Sequence, residues 1–72
     1  MSGKIIRFFR TYWNGMQLTA MVRPGLCGYT LDVDCLDEDG RKHPYFSHSY
    51  KDERGALRAM KTRFRDAEWE ER

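Results

Sequence analysis

The sequence predicts an α+β domain: a four-stranded antiparallel sheet made of two hairpins, with one C-terminal helix packed on one face (ββββα). Three observations predict it. Asn14-Gly15 and Asp39-Gly40 are hairpin-turn dipeptides set between stretches in which apolar and polar residues alternate. A Pro/Gly-rich connection, RPGLCGY, separates the two hairpins. Beyond residue 52 the apolar residues change period, from two to three and four.

The first hairpin joins strands at about 4–13 and 16–23. A two-residue Asn14-Gly15 loop needs positive φ at both positions and sets Trp13 opposite Met16, Thr11 opposite Leu18, Phe9 opposite Ala20 and Arg7 opposite Val22. Met16, Leu18, Ala20 and Val22 are the apolar alternates, so they face the core and take Ile5, Phe9 and Trp13 with them. Ile6, Phe8, Arg10, Tyr12, Gln17, Thr19, Met21 and Arg23 fall on the outer face.

The second hairpin joins strands at about 29–37 and 41–49. Tyr29, Leu31, Val33 and Cys35 alternate with Thr30, Asp32 and Asp34, and the first set turns inward. A two-residue Asp39-Gly40 loop brings Phe46, His48 and Tyr50 to the inner side and leaves Tyr45 and Ser47 outside. A slip of one residue would reverse that strand. The helix is expected over 53–69. Asp52 is the N-cap candidate, with Ser49 the alternative. Leu57, Met60, Phe64 and Ala67, with Ala56 beside them, form the stripe that covers the sheet. The acidic end, DAEWEER, opposes the helix dipole, which favours cations there, so it either frays or serves as a charged hook.

Length and composition narrow the function classes. At 72 residues the chain is one domain, residues 1–72. A domain of this size buries only about 60% of its unfolded surface, so it gains from a partner or a second copy. Thirteen basic and 11 acidic residues leave a net charge of +2, too balanced for a binder that works by charge alone. No signal peptide is expected, since Arg7 and Arg10 interrupt the first apolar residues, and no apolar stretch reaches membrane-spanning length; two cysteines make no disulfide framework, and a reduced, cytoplasmic protein is expected.

Catalytic and metal chemistry find little to work with. Cys27, Cys35, His43 and His48 occur in order, but the cysteines lie wider apart than the two-to-four-residue ligand pairing of zinc sites. PGLCGY has neither the spacing nor the lysine of a phosphate-binding loop. A non-enzyme without cofactor or metal is expected. Two surfaces remain as binding candidates. One is the outer sheet face, with Phe8, Arg10, Tyr12, Met21 and Tyr45, whose aromatic and methionine content is that of a protein interface. The other is the helix stripe Arg54, Arg58, Lys61 and Arg65, suited to phosphate or an acidic protein surface.

The run GYTLDVDCLDEDGRKHPYFSHSYKDERGALRAM resembles the small β-β-β-α DNA-binding domains at the N-termini of tyrosine integrases, the AP2-like group. Tyr29, Gly40, Arg41 and Ala56 match its aromatic strand, its D-x-x-G-[KR] turn and its early helix alanine. That resemblance implies a sheet entering the major groove of DNA, although here Asp32 and Asp34 stand on it. In size and make-up the chain is also similar to small phage and mobile-element proteins, anti-CRISPR proteins among them, which implies inhibition by stoichiometric binding. The expected function is therefore macromolecular interaction. Another protein is the first choice of partner, a small DNA- or RNA-binding module is the alternative, and a homodimer through the outer face is a further expectation.

Overall fold

The first strand, β1 (Arg7–Trp13), turns directly into β2 (Met16–Pro24) through Asn14 and Gly15, whose φ values of 51° and 77° are the pair that a type I′ turn requires. This computed structural model describes residues 6–72; the expected inward placement of Ile5 lies outside the described residues. The register of β1 on β2 is the expected one, from Arg7 opposite Val22 to Trp13 opposite Met16. Residues 25–28 connect to β3 (Tyr29–Leu36), which pairs with β2 so that Leu18, Ala20 and Val22 meet Cys35, Val33 and Leu31. β4 (Lys42–Tyr50) then pairs with β3, and α1 (Glu53–Arg63) follows.

Two departures from the expected second hairpin cancel each other. The loop is Glu38-Asp39-Gly40, one residue longer than expected, because the Asp37 carboxylate organises it. Asp37 Oδ1 accepts from the backbone N–H groups of Asp39 and Arg41, both at 2.9 Å. The Asp37 carbonyl accepts from Gly40 N at 2.9 Å, with Gly40 at φ 80°. Residues 42–44 are therefore displaced by one position on β3. A β-bulge opposite Val33 and Asp34 restores the register, and Val33 meets Phe46, Leu31 meets His48 and Tyr29 meets Tyr50 as expected. The bulged residue is Tyr45. Its ring lies 5.8 Å from that of the buried Phe64, so Tyr45 belongs to the helix side, which corrects its expected place on the outer face.

The helix begins where expected. Asp52 is the N-cap, and its Oδ1 accepts from Gly55 N at 2.7 Å. It ends at Arg63, not near 69. Phe64 leaves helical geometry, and Asp66 takes the left-handed conformation at φ 68°. The reversal frees the acidic tail to return along the sheet. A short strand, β5 (Glu70–Glu71), pairs antiparallel with β1. Among the described residues the sheet therefore has five antiparallel strands, in the order β4-β3-β2-β1-β5, where four were expected.

Ion pairs, hydrogen bonds and ring packing together hold the returning tail. Arg7 grips Glu71 with two hydrogen bonds, at 2.8 and 2.6 Å, and Arg10 donates to Glu70 at 2.7 Å. Thr11 Oγ1 donates to the Glu68 carbonyl at 2.8 Å, and Trp13 Nε1 to the Arg65 carbonyl at 2.8 Å. The core lies between sheet and helix: Phe9, Leu18, Ala20, Val22, Leu31 and Val33 on one side, Ala56, Met60 and Phe64 on the other. The Phe64 ring is its hub, with ring centroids of Trp13, Trp69 and Phe46 at 5.2, 5.7 and 6.3 Å. The described helix is too short and polar to cross a membrane.

Candidate interaction surfaces

Because one helix shields one side of the sheet, the opposite side keeps its side chains in solvent. Phe8 and Met21 are direct cross-strand partners there. Tyr12 projects two residues beyond Arg10 and is 75% exposed, while Ile6 and Phe8 are 47% and 46% exposed. Four of the five residues expected at this surface, Phe8, Arg10, Tyr12 and Met21, are thus brought together on adjacent strands, and Tyr45 is not among them.

Both arginines of this face are matched to carboxylates, while Asp34 beside them forms no ion pair among the described residues. Arg10 is held by Glu70, and Arg23 Nε donates to Asp32 Oδ2 at 2.8 Å. Ser47 Oγ donates to the other Asp32 oxygen at 2.6 Å. Burial pushes the Asp32 carboxyl up, but the bonds from Ser47 and Arg23, with the Arg23 charge, outweigh it and hold the group below its ordinary value. On the helix side of the sheet, where Arg7 also lies 3.6 Å from Glu53 of α1, the Glu71 carboxyl is held low, chiefly by its bond to Arg7, whose own pKa is raised by the same bond. At the hairpin, the His43 ring, 2.7 Å from Asp37 Oδ2, and the Arg41 N–H depress Asp37.

The helix side is charged differently. Arg54, Arg58 and Lys61 are exposed along α1, and none of them forms an ion pair among the described residues. Arg65 is a correction: it lies past the end of α1, in the reversal, and is not part of a helical stripe. Arg63, which the sequence pattern did not single out, lies over the Phe46 ring with its guanidinium carbon 4.4 Å from the centroid. The segregation is clear. The sheet arginines 7, 10 and 23 are matched to carboxylates, and the cations of α1 are not.

The four residues weighed for metal binding are dispersed. Cys27 is exposed in the 25–28 loop, Cys35 is half-buried in β3, His43 pairs with Asp37, and His48 packs 4.9 Å from the Tyr50 ring. Among the described residues no three metal-ligating side chains converge. No family model matches the sequence, and neither does any curated protein or solved structure with which it was compared.

Proposed function

We propose that the chain is a non-catalytic interaction module that binds another protein through the outer face of its sheet. The observation that supports this is an uncovered, largely neutral face carrying exposed Ile6, Phe8 and Tyr12 beside Met21. Aromatic side chains in such a setting act as binding anchors, and matched charges around them discourage a polyanion. In its most concrete form the module is an inhibitor carried by a phage or mobile element, acting on a host defence complex by occlusion.

The test is affinity capture from the native cell with the wild-type chain, Phe8→Glu and Tyr12→Glu as parallel baits. A partner recovered at constant stoichiometry by the wild type and lost with both variants, each still folded, supports the proposal. A partner held equally by all three overturns it.

A second reading rests on the unpaired cations Arg54, Arg58 and Lys61, which favour an anionic partner at the helix. Fluorescence anisotropy with duplex and single-stranded oligonucleotides separates the two. Salt-sensitive binding that disappears in the double variant Arg58→Ala, Lys61→Ala assigns the helix to nucleic acid.

A further inference from the structure

Beside α1 the fold leaves a second opening that the outer-face reading does not use. β4 is an edge strand, and α1 does not reach across it. The residues that α1 turns toward β4 include Ala59 and Thr62, both small, so a groove of about 560 Å³ remains between helix and strand. Phe46, His48 and Tyr50 form its floor, every second residue of β4, and Arg63 stands at its side. No carboxylate lines it.

The outer edge of β4 carries hydrogen-bonding capacity that the sheet does not use. Ser49 N–H does not join the ladder to β3; it donates to Nδ1 of the neighbouring His48 at 2.9 Å. In an antiparallel strand the N–H and C=O of one residue point the same way, and residues two apart share that direction. Ser47 and Ser49 therefore both turn their backbone groups away from the sheet, while the side chains between and beside them point into the groove.

We propose that this edge and groove receive an extended, acidic peptide segment of a partner protein, added to the sheet as an extra antiparallel strand. Its backbone pairs with Ser47 and Ser49, replacing the His48 acceptor. Its apolar side chains lie on His48 and Tyr50, and a carboxylate reaches Arg63 where it stands over Phe46. Charge selects this occupant. A second copy pairing through β4 would bring KHPYFSHSY, which holds no carboxylate for Arg63, and the carboxylates of the other sheet edge, Glu70 and Glu71, are already held by Arg10 and Arg7. Single-stranded nucleic acid needs open ring faces. Arg63 already occupies a face of Phe46, and the rings are steeply inclined to one another, at 84° for Phe46 and His48 and 55° for His48 and Tyr50.

The experiment is an NMR titration of the isotope-labelled chain with capped heptapeptides in which glutamate alternates with valine or phenylalanine. Two controls accompany them: lysine in place of glutamate, and N-methylation of alternate peptide nitrogens. Saturable shifts of the backbone amides of Ser47 and Ser49 and of the Arg63 side chain are expected. Affinity falls about tenfold with either control peptide. Arg63→Glu, an exposed substitution, reverses the preference in favour of the lysine peptide. Ser49→Pro removes the outward donor without touching the ladder and weakens both peptides. Phe8→Glu leaves the titration unchanged, which separates this site from the outer face. The proposal is overturned if the β4 amides do not shift, if N-methylation has no effect, or if these amides respond only to self-association or to an oligonucleotide.

Discussion

Replacing Phe64 probes the packing on which the exposed outer face depends. The residue is 2% exposed, ends α1, and holds the rings of Trp13, Tyr45, Phe46 and Trp69 around it. Truncating a buried phenylalanine to alanine costs about 3–5 kcal/mol through lost transfer energy and the cavity left behind. A chain of 72 residues has a total stability of about 4–11 kcal/mol at the usual per-residue value, so Phe64→Ala removes about a quarter of it at least and can remove all of it. Phe64→Leu keeps most of the buried area and loses the ring-edge contacts, a loss of about 1–2 kcal/mol. In urea, with a slope near 1 kcal/mol/M for so small a domain, the leucine variant unfolds about 1–2 M earlier. Tryptophan fluorescence is the natural readout, since Trp13 and Trp69 both flank the ring. The control is Phe8→Ala on the outer face, which costs about 1 kcal/mol or less because nearly half of that side chain is already in solvent. Equal losses at positions 8 and 64 would refute a one-sided sheet.

Two further outcomes follow from the same geometry. A β-carbon at Gly28, where φ is 150°, would overlap the Tyr50 carbonyl oxygen, whereas at Gly15, φ 77°, it would meet nothing within 4 Å. Gly28→Ala therefore destabilises by more than about 2 kcal/mol and Gly15→Ala by about 1, measured by thermal unfolding. The Asp32 carboxyl titrates below its ordinary value of 3.8 in the folded chain, so the folded state binds fewer protons on the acid side. Its contribution to stability is complete above that ordinary value and is lost as pH falls through the depressed one. Between about pH 5 and pH 2, Asp32→Asn flattens the fall of the urea midpoint; an unchanged slope would remove Asp32 from the account.

The first hairpin was legible because its signal is local: Asn14-Gly15 admits one turn, the turn sets the register, and the register sets both faces. Asp52 was legible as a cap for the same reason. The second hairpin carried two signals. Asp39-Gly40 suggested a two-residue loop, but the carboxylate of Asp37 stabilised a longer one, and the bulge that compensates has no sequence mark beyond a proline, Pro44, one residue before it. Tyr45 changed sides as a result. The acidic tail reads as unfavourable to a helix end, which it is, yet its destination depends on partners such as Arg7 and Arg10, some 60 residues away in the chain. Such a long-range match is invisible to periodicity, because a turn of helix at 64–69 satisfies the same apolar spacing as the observed reversal. The outer face was legible from the alternation of β1 and β2. The groove at β4 was not, since it depends on how far a helix with Ala59 and Thr62 on that side reaches across the sheet.

The side of the sheet away from the helix is proposed to meet a partner, and a photo-crosslinking amino acid addresses this directly. Placed at Tyr12 and expressed in the native cell, it is predicted to yield a discrete adduct with another protein, while the same group at Arg58 yields none. An adduct formed from position 58 with nothing captured at position 12 would contradict the claim.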